Sequence, residues 1–322
     1  YGNYVGGLIG GATNVNINNS YETGSIKGPN FIGGLVGNAE NSEITNTYTI
    51  GAINHTSTIT SDTCNGSLNG LCYGGFAGRS VNSTATNSYY SVETGGVQRS
   101  ALGINYRIQQ LLKKNDNAYT NWDFDSIWDI EEGSSTAYLR NVFKPTSVDE
   151  TNIVHTVLDG DGTVSDPYLI HNATEFNEIY KELNANYKQV NDIDANNTAM
   201  SVKAEVQALF SGTYDGDNYK ISNINNNANS NNYGMFTFVN GGTIKNVNVT
   251  SSTTTGGTSA GILIGYAKNI VNLDNISLTG KLSGASNLGG IIGYAEGGLD
   301  TININNVNVD ATINGTSNLG GA

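Results

Sequence analysis

The side chains best suited to chemistry are few and scattered. The only histidines are His55, His155 and His171, and no two of them stand four apart, as a metal pair on one helical face requires. The only cysteines are Cys64 and Cys72. Without converging histidines or aspartates they do not make a zinc site. A disulfide between them would close a loop of about 9 residues, worth roughly 2–3 kcal/mol in the chain-entropy model. Two free thiols in a reducing cytosol are the other reading; the Asn/Thr-rich, weakly charged composition looks exported and favours the disulfide. Asp123, Asp125 and Asp129 alternate with Phe124, Ile127 and Ile130, which is the pattern of a half-exposed strand. Asp159-Gly160-Asp161-Gly162 has the start of a calcium loop but lacks the third ligand and distal glutamate of an EF-hand, so a turn is expected. Glycan cleavage needs clustered carboxylates, whereas Glu22, Glu40, Glu43, Asp274, Glu296 and Asp300 are dispersed. The chain has no Gly-x-Ser-x-Gly elbow and no phosphate-cradling loop. No catalytic, cofactor-binding or metal-ligating residue is therefore assigned, and the expectation is a chain that is not an enzyme.

The elements that position these groups announce themselves by repetition. Gly6-Gly7-Leu8-Ile9-Gly10, Gly33-Gly34-Leu35-Val36-Gly37 and Gly74-Gly75-Phe76-Ala77-Gly78 are nearly one sentence, each followed by Asn-x-Tyr at Asn19/Tyr21, Asn46/Tyr48 and Asn87/Tyr89. The first two copies are 27 residues apart, and an insertion over Asn54–Leu71 delays the third. A fixed period of this size denotes a solenoid whose coils bury apolar side chains only against their neighbours. Each coil reads as three short strands, with Val15 and Ile17 turned inward and glycine supplying φ > 0 at the corners. Stacking brings Tyr21, Tyr48 and Tyr89 into one ladder, read first as core or edge stacking, with a sugar-binding platform as the lesser alternative. Asparagine amides are expected to stack between coils.

Residues 1–95 form this first block. Residues 96–140 break the period and hold both tryptophans, Trp122 and Trp128. They are expected to cover the solenoid end, with Ile108, Leu111 and Leu112 on a short helix at 106–114. Residues 141–158, with Pro145, read as a linker. A second module spans 159–322. It opens with a capping box, Asn172-Ala173-Thr174-Glu175, and Phe176, Ile179, Tyr180 and Leu183 at helical spacing, predicting a helix over 173–186. A second ladder follows at Ile244–Val247, Leu273–Ile276 and Ile304–Val307, paired with pentads at Gly261 and Gly289 and a truncated one at Gly320. The chain begins and ends inside repeats, so it reads as an excised piece of a longer protein.

Net charge of −13 and a pI near 4.5 argue against nucleic-acid partners and anionic membrane surfaces. No apolar run reaches the roughly 18 residues of a membrane span.

The pentads with their Asn-x-Tyr, the Trp122-Asp123-Phe124 to Trp128 stretch followed by Tyr138-Leu139, and the series Gly160–Thr163, Asp166–Ile170, Asn191–Asp194 and Phe210–Gly216 resemble GLUG-motif regions of bacterial surface proteins. Gly234-Met235-Phe236-Thr237 departs from the pattern by lacking the closing glycine, and the Asn54–Leu71 insertion is peculiar to this chain. The resemblance covers most of the chain. It implies secreted or outer-surface adhesins, autotransporter-like proteins or the non-catalytic region of some immunoglobulin A proteases.

The expected fold is all-β: right-handed parallel β-helix (β-solenoid) modules with short helical and aromatic capping segments. The expected function is that of a non-enzymatic adhesin or stalk at the bacterial cell surface, attaching to a host or neighbouring-cell protein or glycan. No cofactor, nucleic acid or membrane insertion is expected. The Cys64–Cys72 loop is the favoured contact site. A structural subunit self-associating into extracellular filaments or a sheath, and a polysaccharide-acting enzyme, are the competing readings.

Overall fold

The computed structural model describes residues 4–56, 73–114, 117–142, 157–204, 208–228, 230–298 and 300–320. Cys64, Cys72 and His155 lie outside them, as does Pro145 with most of 141–158. The chain is a parallel β-solenoid, divided into two compact units, Tyr1–Val157 and Leu158–Ala322.

In the first unit the pentads and Asn-x-Tyr motifs stack in register. Ile17 pairs with Ile44 and Tyr21 with Tyr48, and Tyr48 in turn with Tyr89, all in parallel strands. Ile26 lies opposite Ile53, and the Tyr4 ring sits 5.2 Å from Phe31. The coil has four strand ladders, one more than the sequence suggests. The first coil runs Val5–Gly6, Ile9–Thr13, Asn16–Glu22 and Ile26–Gly28.

Corner chemistry departs from expectation. Left-handed backbone is taken mainly by asparagine: Asn14, Asn41 and Asn82 form one column, and Asn19, Asn46 and Asn87 another, with φ between 45° and 57°. Asparagine tolerates this region better than other side chains bearing a Cβ. The pentad glycines have ordinary φ and serve close approach instead. A Cβ on Gly33 would lie 2.0 Å from Val36 O, and one on Gly34 would lie 2.2 Å from Gly75 O in the next coil.

The 96–140 segment also behaves differently. The end of the stack is covered by 97–105: Gly75 N donates to Arg99 O, Ala101 N donates to Ala77 O, and Ile104–Asn105 pairs with the third coil. The tryptophans instead lie along the flank. Trp128 packs at 6.0 and 6.4 Å from Tyr21 and Tyr48, and Trp122 at 6.3 and 6.1 Å from Tyr48 and Tyr89. A column of parallel phenol rings offers indoles better partners than the aliphatic coil end. Trp128–Asp129 pairs antiparallel with Tyr138–Leu139, and the rest of the aromatic stretch is turns rather than the strand its alternation suggests. The expected helix over 106–114 is a single turn, Ile108–Leu111.

The second unit opens with the predicted capping box: Asn172 Oδ1 accepts from Glu175 N at 2.9 Å. The helix itself, Ala173–Asn177, passes into a 3₁₀ turn, Glu178–Lys181, well short of 186. The chain must turn back there, because Tyr187 enters the sheet and its hydroxyl donates to Glu182 O at 2.6 Å. Parallel strands then climb through Tyr168–Ile170, Asn186–Gln189 and Thr213–Asp215 to three 13-residue strands, Thr243–Thr255, Val271–Ser283 and Ile302–Asn314. Burial comes from adjacent coils: Leu273 is fully buried, whereas Ile304, opposite it in the outermost coil, is 49% exposed.

Candidate functional site

Most of the groups singled out for chemistry have structural partners. Asp123 accepts from the backbone N and the hydroxyl of Ser126, at 2.9 and 2.8 Å, and from Asp125 N at 2.9 Å, and these bonds, those from Ser126 foremost, hold its carboxyl below the usual range. Asp129 pairs with Arg140 at 3.1 Å. His171 Nδ1 lies 3.0 Å from Glu175 Oε2. The Asp159–Gly162 segment forms a turn in which Gly160 and Gly162 have φ of 93° and 72° and Asp161 N donates to Asp166 O. Glu22 accepts from Thr49 Oγ1 at 2.8 Å, Glu296 from the Tyr266 hydroxyl, and Asp274 from Asn306 Nδ2 at 3.0 Å. Among the described residues no three His, Cys, Asp or Glu side chains converge on a point that would hold a metal.

The tyrosine ladder is likewise enclosed. Tyr21 and Tyr48 stack at 5.4 Å with planes 5° apart. Tyr48 is fully buried, and its hydroxyl donates to Ala137 O at 2.6 Å. Burial raises Tyr48 well above an ordinary phenol and Tyr89 to about 12. Trp122 Nε1 donates to Asn87 O and Trp128 Nε1 to Asn19 Oδ1, so the indoles clamp the Asn-x-Tyr motifs.

The outer face of the three long strands carries rows of amide and hydroxyl side chains. Ile244 turns inward before the left-handed Asn246, and alternation beyond it sends Val247 and Val249 inward and leaves Asn248 and Thr250 outside. Register then builds columns. Asn275 Nδ2 donates to Asn246 Oδ1 at 2.9 Å and to Asn218 Oδ1 at 2.8 Å. Lys188, Asp215, Lys245 and Asp274 pair in register, so charge alternates from coil to coil. Lys245 Nζ reaches Asp215 Oδ2 at 3.1 Å. Burial tends to raise Asp215, but hydrogen bonds from Asn246 and the Asp217 backbone, with Lys245, hold it low.

Two depressions indent this face. One, of about 280 Å³, is lined by Asn218, Asn248, Asn275, Ser277, Asn306 and Asn308, with Val247 and Ile276. The other, of about 490 Å³, is lined by Ser251, Ser252, Thr253, Thr279, Gly280, Lys281, Asp310 and Thr312. A β-bulge makes the second: register slips between Val249 and Ser252, and Ser251 has φ of 62°. Gly280 permits it, since a Cβ there would lie 2.5 Å from Ser252 O. None of these residues was expected as a site. The signal was available, because aligning the second ladder at its 29- and 31-residue spacings places Asn248, Ser277 and Asn308 in one column.

No protein-family model matches the chain, and no solved structure matches it. The GLUG resemblance therefore rests on the quoted motifs. Over 181 residues the chain is 25% identical to halomucin of Haloquadratum walsbyi (strain DSM 16790 / HBSQ001), a stretch covering 52% of the chain and 2% of halomucin. What the chain is, on fold and comparison together, is a β-solenoid repeat protein distantly similar to a small part of halomucin.

Proposed function

We propose that this chain is a non-catalytic stretch of an extracellular surface protein, attaching to cells or surfaces through side chains displayed in rows along its coils. The observation that carries the reading is the registered outer face of Thr243–Thr255, Val271–Ser283 and Ile302–Asn314, where amide and hydroxyl columns repeat in each coil. Stacked coils make such rows regular and stiff, which suits contact with an extended partner. The distant similarity to halomucin and the resemblance to GLUG-motif surface proteins support the location. The contact site once expected in the Cys64–Cys72 loop lies outside the described residues, and the reading does not depend on it.

Beads coated with the folded chain test this, compared under flow with beads carrying heat-unfolded chain, on cell layers and on inert surfaces. The expected result is retention by the folded chain alone. Equal retention of both bead types overturns attachment, and release of reducing ends from polysaccharide overturns the non-catalytic part.

A further inference from the structure

The attachment reading leaves the ligand open, and the chemistry of the outer face narrows it. Amides and hydroxyls each donate and accept, so neighbouring Asn308, Ser277, Thr279 and Thr312 can meet vicinal hydroxyl groups in either direction. The formal charges around the larger depression are one Lys281 and one Asp310, which sum to zero. A polyanion would meet a single cation on a chain of net charge −13, so sulfated and uronic-acid polymers are repelled. An apolar ligand would strip water from these groups and return no hydrogen bonds. Size agrees as well: about 490 Å³ falls within the range of small-molecule sites. The amide-lined depression lies along the same strands, centred about four residues away, or roughly 13 Å at the strand rise. A chain of several sugar rings reaches both.

We propose that the outer face formed by Thr243–Thr255, Val271–Ser283 and Ile302–Asn314 is a binding groove for neutral, hydroxyl-rich glycan chains, with its main subsite at the Ser251–Gly280 bulge. The proposal rests on the attachment reading only for its biological setting.

The test is calorimetric titration of the whole chain with neutral oligomers of glucose, mannose, galactose and N-acetylglucosamine, with polygalacturonate and a sulfated glycan as anionic comparators. At least one neutral oligomer is expected to bind at millimolar concentration or below, and the anionic polymers not to. Replacing two exposed side chains in D310A/T312V removes hydrogen bonds from the subsite and is expected to weaken binding about tenfold. Its melting temperature should stay that of the parent; if it does not, K281A serves as the second variant. No neutral oligomer bound, equal affinity in the variants, or equal binding of the anionic polymers each overturns the groove. Bead retention without glycan binding would sink this assignment and spare attachment, whereas glycan binding without retention would do the reverse.

Discussion

Asparagine does two jobs at one position in this protein. It accepts a left-handed backbone at the coil corner, and its amide bonds to the asparagine one coil away. Asn275 shows both, with φ of 55° and amide bonds to Asn246 and Asn218. Asn275→Ala loses both and should cost about 1–2 kcal/mol. Asn275→Gly keeps the backbone freedom and should cost less; denaturant unfolding of the two variants separates the contributions, and equal losses would show that φ plays no part. Tyrosines make a different demand. Tyr48 and Tyr89 ionise only above their unfolded value of about 10. Because their folded pKa values are raised, the stability they contribute is complete below pH 10 and is lost as pH rises toward and past 12. Phenolate absorbance and far-ultraviolet circular dichroism should therefore change together in that range, and ionisation of all tyrosines near pH 10 without unfolding would contradict the enclosed ladder.

At the scale of strands and coils, glycine decides how closely successive turns approach. Gly34→Ala forces a Cβ against Gly75 O, with Thr49 Oγ1 only 2.7 Å away. An overpacking cost of about 1–3 kcal/mol or more is expected. Gly95→Ala meets nothing nearer than 3.5 Å and should be neutral or stabilise by about 0.4–1 kcal/mol through the unfolded state. Melting curves of the pair test whether coil spacing, rather than backbone freedom, explains the pentads. The alternating column through Lys188, Asp215, Lys245 and Asp274 pins register, since a slip of one residue would turn these charges inward. Asp215, held below its unfolded value, contributes stability above that value which falls away as pH drops through the folded one. Asp215→Asn should accordingly flatten the acid limb of the unfolding profile below about pH 4; an unchanged limb would remove Asp215 from the account.

At the scale of the molecule, burial between neighbouring coils predicts that each compact unit folds by itself. The second unit holds one continuous apolar core from Leu158 through Ile291, closed at its start by the Asn172-capped helix and Phe176. Residues 158–322 expressed alone should fold with β-type circular dichroism and a single cooperative transition. A disordered product would mean that the core is incomplete without the first unit.

The periodic spacing alone determined that coils stack, which residues share a column and which face inward, because parallel stacking requires equivalent residues to recur at a fixed interval. Ile17 over Ile44 and Tyr21 over Tyr48 follow from counting by 27. The capping box at Asn172 was also legible, since its bonds are local. The helix end was not, because Tyr187 pulls the chain into the sheet through a bond formed only in the folded molecule. Likewise the placement of Trp122 and Trp128 on the flank depends on a ring column that exists only after stacking. The bulge at Ser251, and with it the candidate groove, arises where Thr250 and Ser251 together face the single residue Thr279 of the next coil. Local sequence sets what each residue prefers, and only the assembled coils decide which preference is met.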